Sequence, residues 1–183
     1  MRRETFDAML EHHRDRVYGH ALGCLRDPDD AADVTQEAFL RLWRRGPDID
    51  EERLAAWLTR VIHNLCIDRV RRRRTVRLHL GRPDPDALAT LPDGDGSDTC
   101  PSLDLERQDR GRAMLAALDR LPVDTRSILL MHYWQGMKLR EIAQALDLNL
   151  NSVKVRVHRA RRALRGILDE LAEEPATAKR MNG

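Results

Sequence analysis

Apolar positions recur along this chain at three- and four-residue spacing, and two-residue alternation is almost absent. The helical period holds over residues 4–74 and again over 107–172. Punctuation divides each block. Phe6–Leu25 reads as one amphipathic helix, closed by Arg26-Asp27-Pro28. Asp29 or Asp30 can cap a second, running to about Arg44. Gly46-Pro47-Asp48 breaks the chain, and a long third helix follows from Leu54 to about Arg74. The second block predicts helices over Gln108–Arg120, Pro122–Trp134, Leu139–Leu146 and Leu150–Leu171. Pro122 sits near a first turn and Gly136 at a stop.

The stretch between the blocks is different in kind. From Pro83 to Glu106 it is rich in Pro, Gly and Asp and carries no basic residue. Such a segment repels itself and has too little apolar surface to fold. The expected architecture is therefore all-α, with two small helical domains joined by a flexible acidic linker. Residues 1–75 form the first domain, 76–106 the linker and 107–172 the second domain, with 173–183 a disordered tail.

Helical projection then separates the faces. In the last helix Val153, Val157, Ala160, Leu164 and Leu168 share one side. Asn151, Val155, His158 and Arg162 lie opposite, flanked by Lys154 and Arg159. The preceding short helix has its own apolar face, and Asp147-Leu148-Asn149 makes a tight turn between them. Helix, tight turn and longer helix with a basic outer face is the helix-turn-helix arrangement, whose second helix enters the major groove. Asn151, Ser152, Lys154 and Arg156 are candidates for base edges or phosphates, and outward Val155 for a thymine methyl.

The second helix poses another question. Ala31, Val34, Ala38 and Leu42 face inward, while Asp33, Gln36, Glu37 and Leu40 share the far side. An acidic patch around an exposed Leu suits protein docking rather than DNA. In the third helix Arg60, His63, Asn64, Ile67 and Arg71 lie opposite the apolar stripe, and five Arg fall in six residues at Arg69 and Arg71–Arg74. Cations near a helix C-terminus favour the helix itself, yet this run exceeds what capping requires and points to phosphate. The Asn64 amide could read a base edge.

Composition adds limits. The chain has 183 residues, 42% hydrophobic and 34% charged, with a net charge of only +2. Its bases are mainly Arg, which suits phosphates and guanine edges. Cys24, Cys66 and Cys100 follow no ligand spacing, which indicates a reducing, cytoplasmic setting. No apolar run reaches the ~18 residues of a membrane span. His20 with Cys24 and His63 with Cys66 invite a zinc reading, but Cys66 falls on the packed side and His63 on the outer side. No phosphate-cradling loop, nucleophile elbow or carboxylate pair is visible. No metal, cofactor, small-molecule substrate or catalytic activity is expected.

Taken in order, "DPDDAADVTQEAFLRLWRR", "LAAWLTRVIHNLCIDRVRRRR" and "LPVDTRSILLMHYWQGMKLREIAQALDLNLNSVKVRVHRARRALRGIL" resemble an extracytoplasmic-function (group IV) RNA polymerase sigma factor of the sigma-70 family. The resemblance covers most of both blocks. It implies core RNA polymerase, promoter DNA and an anti-sigma factor as partners. Asp33, Gln36, Glu37 and Leu40 would grip core polymerase. Arg60, His63, Asn64, Arg69, Arg71, Arg72, Arg73 and Arg74 would meet the minus-ten element, and the loop from Arg44 to Arg53 would capture a flipped base. Asn151, Ser152, Lys154, Val155, Arg156, His158 and Arg159 would read the minus-thirty-five element. The second block would also rest on the flap of a large polymerase subunit. "PDIDEE" at 47–52 offers no basic anchor, so the captured base is not legible. A linker of ~30 residues reaches roughly 100 Å extended but averages only ~30 Å relaxed. The two elements lie about 50–60 Å apart at ~3.4 Å per base pair, so polymerase must supply the ordering energy. A second reading is a helix-turn-helix regulator resembling LuxR-type activators. It would need a sensor domain, for which residues 1–74 are too short and too helical.

Overall fold

An amphipathic helix is stable when its apolar stripe finds another, and the chain meets this condition twice. The computed structural model describes residues 3–45, 51–79 and 103–178. In order the elements are α1 (Arg3–Leu25), α2 (Pro28–Arg45), α3 (Glu51–His79), α4 (Leu103–Asp119), α5 (Val123–Leu129), a π-helical turn (Leu130–Trp134), α6 (Leu139–Leu146) and α7 (Leu150–Ala178). Among the described residues there is no strand, and no helix is long and apolar enough to cross a membrane.

Helices α1, α2 and α3 form the first bundle. Ala21, Ala38, Leu42, Leu58, Ile62 and Cys66 are almost wholly buried at its centre. Arg26 ends α1 in the left-handed region at φ 54°, and its N–H returns to the Leu22 carbonyl at 2.8 Å. Asp27 then caps α2, its Oδ1 accepting the Asp30 N–H at 2.9 Å. The cap is thus Asp27 rather than Asp29 or Asp30. That backbone bond, aided by Arg73, holds the Asp27 carboxyl below its usual range.

The second bundle packs α5, α6 and α7 around Ile128, Met131, Ile142, Val153 and Val157. A smaller cluster of Leu121, Leu129 and Ala160 closes α4 onto α7. Gly136, at φ +69°, makes the turn after the π-helical segment.

The helices outrun three expected boundaries. α3 continues through Thr75 and Val76 to His79, past the end placed at residue 75. α4 begins at Leu103, inside the segment read as linker. α7 continues to Ala178, so residues 173–178 are helical rather than a disordered tail. No Gly or Pro interrupts residues 51–79 or 103–110, and "DELAEE" is made largely of good helix formers, so propensity lengthens α3 and α4 and carries α7 to Glu174, after which its last turn includes Pro175. Most of the acidic connection, residues 80–102, lies outside the described residues.

The two bundles also touch. A Cβ on Gly19 would stand 2.5 Å from the Trp134 ring, and one on Gly23 2.8 Å from Leu130. The absence of side chains there lets the π-helical turn seat against α1. Arg126, 8% exposed, sends one guanidinium nitrogen to the Cys24 carbonyl of α1 at 2.8 Å. Another serves the Asp119 and Leu121 carbonyls at 2.8 and 3.1 Å. Its charge faces the Asp119 carboxylate at 3.4 Å, which Arg26 of the first bundle also meets at 3.1 Å.

Removing one member of a buried ion pair leaves the other charge uncompensated. Arg126→Ala is expected to lower stability by about 3–5 kcal/mol, measured by urea unfolding followed by far-ultraviolet circular dichroism. A loss below about 1 kcal/mol, the scale of an exposed pair, would show that Arg126 is not structural.

Candidate functional surfaces

α2 presents its acidic face to solvent because its apolar face is consumed by α1 and α3. Asp33, Gln36 and Leu40 are exposed, Leu40 at 42%. Glu37 is half-buried and accepts a bond from Arg41 Nε at 2.8 Å, which draws its carboxyl below the usual range. Beside Leu40 and Gln36 runs a groove of about 680 Å³ between α1 and α2, walled by Phe6, Leu10, Tyr18 and Phe39. Phe6 meets Trp43 edge to face at 4.9 Å, and Trp43 remains 45% exposed. The groove was not foreseen, since its walls come from two helices and appear only once they pack.

On α3 the expected set divides. Asn64, Arg71, Arg72 and Arg74 are exposed. Arg71 lies 4.0 Å from Asp68. Arg69 and Arg73 are instead engaged within the bundle. Arg69 pairs with Asp30 at 3.4 Å and with Asp33. Arg73 pairs with Asp27 at 2.8 Å and with Asp30. These acids gather at the N-terminus of α2, where the helix dipole favours them, and α3 runs beside it. Arg69 and Arg73 therefore clamp α2 to α3 in this arrangement. The expected exposure of His63 is corrected. The residue leaves the first core as expected, but the second bundle covers it, so it is 7% exposed. Arg60, exposed, faces Asp147 of the second bundle at 3.8 Å. The loop expected to hold a flipped base falls at residues 46–50, outside the described residues.

The second helix of the helix-turn-helix is as expected. Asp147 takes the left-handed conformation at φ 57°, ending α6. Its N-terminal Lys138 N–H is satisfied by Glu141 at 2.9 Å. Asn149 begins α7, its side chain accepting the Asn151 N–H at 2.8 Å. Val153, Val157 and Ala160 are buried against the bundle. That fixes the outward direction of Asn151, Ser152, Lys154, Val155, Arg156, His158 and Arg159, all exposed. Val155 is 46% exposed, an apolar side chain amid polar ones.

The polar seam between the bundles escaped sequence reading. Ser127 Oγ lies 2.9 Å from His20 Nε2 and 2.8 Å from His63 Nδ1. Gln135 Nε2 reaches His20 Nδ1 at 3.1 Å, and Arg16 reaches Gln135 Oε1 at 3.4 Å. Burial pushes the His63 imidazole down to about 4. The sequence did hold traces of it: two glycines four apart on α1, and Arg126-Ser127 directly ahead of the apolar run Ile128–Met131. Cys24 and Cys66 are free and buried beside the seam. Among the described residues no group of three His, Cys, Asp or Glu is disposed to hold a metal.

Known proteins match this arrangement over both bundles. Residues 9–76 match the Sigma-70 region 2 family, and residues 111–164 the Sigma-70, region 4 family. The ECF RNA polymerase sigma factor SigE of Mycolicibacterium smegmatis is 31% identical over 94% of this chain. This chain spans 65% of that relative's length. The ECF RNA polymerase sigma factor SigK of Mycobacterium tuberculosis is 30% identical, with 90% of this chain and 86% of the relative aligned. Among solved structures, the sigma factor RpoE in complex with the anti-sigma factor NepR from Bartonella quintana shares the fold at a TM-score of 0.66 and 21% identity. It covers 91% of this chain and 98% of that one. CnrH in complex with the cytosolic domain of CnrY gives 0.63 and 23%, over 92% and 90%. With both regions matched in order and a relative aligned along most of its length, the chain belongs to the sigma-70 family, among its extracytoplasmic-function sigma factors.

Proposed function

We propose that this chain is a transcription initiation factor that joins core RNA polymerase, recognises minus-thirty-five and minus-ten promoter elements and promotes strand opening under anti-sigma control. The observation that carries the reading is the face of α7. Asn151, Ser152, Lys154, Val155, Arg156, His158 and Arg159 stand in solvent while Val153 and Val157 anchor the helix from behind. A helix so mounted can lay its N-terminal turns in a major groove with base-edge donors and a methyl-sized apolar contact facing the pairs.

The remaining surfaces take complementary tasks. Asp33, Gln36, Glu37 and Leu40, beside the apolar groove, supply a negative rim around a hydrophobic anchor for core polymerase. Asn64, Arg60, Arg71, Arg72 and Arg74 supply donors for the minus-ten strand. Opening that strand costs stacking energy, which single-strand contacts recover. Bond making stays with polymerase, and this chain contributes binding and orientation. Residues 80–102 reach about 80 Å at ~3.5 Å each, still more than the 50–60 Å between the elements. The longer helices thus tighten the tether without making it too short.

Adding the purified chain to core polymerase and a promoter from its native genome should give transcription starts that neither component gives alone. Tight duplex binding without polymerase, and no new starts, would instead favour a free-standing regulator. Leu40→Asp is expected to abolish capture by core polymerase while leaving the helical spectrum and melting temperature unchanged. Unchanged capture would remove α2 as the docking face. Lys154→Ala and Arg156→Ala are each expected to weaken minus-thirty-five binding by about 1–3 kcal/mol if the residue reads a base. Titration against point-substituted duplexes separates the roles, since a uniform loss marks a phosphate contact.

A further inference from the structure

Two thiols in the first core play no part in the surfaces described above. Cys24 of α1 and Cys66 of α3 are free, 1% and 0% exposed, and belong to one apolar cluster. Their helices pack directly on each other, and the two sulfurs are hydrogen-bonded to one another. The Cys24 sulfur also bonds His20 and Ser127. One thiol of the pair thus borders the polar seam, while the other lies wholly within the core. Filling a core needs only volume, which Ala or Val supplies. Two sulfurs in contact, with an imidazole and a hydroxyl at one end, make a chemical arrangement. Among the described residues no group of three ligands is disposed to hold a metal, so the partner each sulfur has is the other.

We propose that Cys24 and Cys66 are a redox-active dithiol, oxidised by hydrogen peroxide or an organic hydroperoxide to a disulfide that staples α1 to α3. In a reducing compartment a disulfide of this kind is transient and redox-sensing rather than structural. The ring it closes, from residue 24 to residue 66, encloses all of α2.

The surroundings assign the two sulfurs different roles. The Cys66 thiol donating to Cys24 draws the Cys24 thiol well below its ordinary range, with His20 adding to the fall and burial opposing it. The same bond and burial push Cys66 up, so Cys66 keeps its proton. Since the thiolate is the nucleophile, Cys24 attacks. Its sulfur takes one peroxide oxygen, the O–O bond breaks, and the departing hydroxide leaves as water with a thiol proton. Cys24 is then a sulfenic acid. Cys66 attacks that sulfur, the S–S bond forms, the S–O bond breaks, and the second water carries off the Cys66 proton. Two thiols lose two electrons, and the peroxide is reduced to two waters.

The route to Cys24 lies on the side of α5. Ser127 stands beside its sulfur, Arg126 holds its carbonyl, and Leu130 fills the space at neighbouring Gly23. Oxidant therefore enters when α5 lifts locally from α1, an opening smaller than global unfolding. Cys66, deeper, is reached only through Cys24.

The full chain carrying Cys100→Ser, which retains only this pair of thiols, tests the proposal. After hydrogen peroxide at pH 7.5, a non-reducing digest read by mass spectrometry should show the Cys24 and Cys66 peptides joined, with two hydrogens lost. Dithiothreitol should restore both thiols. The oxidised chain is expected to melt roughly 5 °C or more above the reduced one. In a second variant Cys66→Ala is added, and dimedone should then trap a sulfenic acid on Cys24; with Cys24→Ala instead, Cys66 should stay unreacted. Gly19→Leu/Gly23→Leu, whose side chains collide with Trp134 and Leu130, should speed disulfide formation about tenfold with helicity retained. Two free thiols after peroxide in the folded chain overturn the dithiol. A sulfenic acid on Cys66 in the absence of Cys24 reverses the assigned roles. A joined pair with no rise in melting temperature overturns the staple, and an unchanged rate in the glycine variant overturns the route past α5.

Discussion

A single hydroxyl, that of Ser127, stands between imidazoles from two different helices of the other bundle. Its position explains why the two halves are arranged as they are. A hydroxyl has one proton to give and lone pairs to receive, so it can accept from one imidazole nitrogen and donate to another. His20 presents Nε2 and His63 presents Nδ1, and a Gln135 amide donating to His20 Nδ1 leaves the His20 proton on Nε2. Buried polar groups are costly when unpaired, so the seam has one satisfied register. Arg126 repeats the logic a few ångströms away, using backbone carbonyls of both bundles as acceptors. The bundles are thereby held by directional contacts as well as by the apolar fit of Leu130 and Trp134 against α1.

That division also accounts for how α1, α3 and α7 spend their faces. Each helix has one stripe for its own core. α1 gives a second face, with Gly19 and Gly23, to the docked bundle. α3 gives Arg69 and Arg73 to the acids at the start of α2 and leaves Asn64, Arg71 and Arg72 outward. α7 gives only Val153, Val157, Ala160 and their successors inward. The dense positive segment of α3 is thus part clamp and part free surface, a distinction that charge counting along the sequence cannot make.

What the sequence revealed depended on range. Within one helix the period determines which residues are buried, so Leu42 and Val153 were legible, and so was exposed Val155. The turn at Asp147 was legible because Asp tolerates the left-handed conformation and the pattern resets there. Contacts across helices were not. His63 was placed on the outer side of α3, which is correct for its own bundle, yet it is buried because another bundle lies over it. The groove beside Leu40 and the pairing of Arg73 with Asp27 depend likewise on how two helices cross. Helix ends were misjudged for a different reason. Charge runs such as Arg71–Arg74 were read as termini, whereas Arg is itself a good helix former and does not stop a helix.

The arrangement has a consequence for control. On the function proposed above, a protein partner would hold the factor inactive by binding the docked form, in which His63 is buried and Arg60 faces Asp147. Binding the docked form more tightly than the open one is sufficient, and the shift obtainable equals the ratio of those two affinities. On the same proposal, a partner that favours the open form does the reverse. The interface combines polar bonds with the apolar contacts of Leu130 and Trp134, so such a shift works against both.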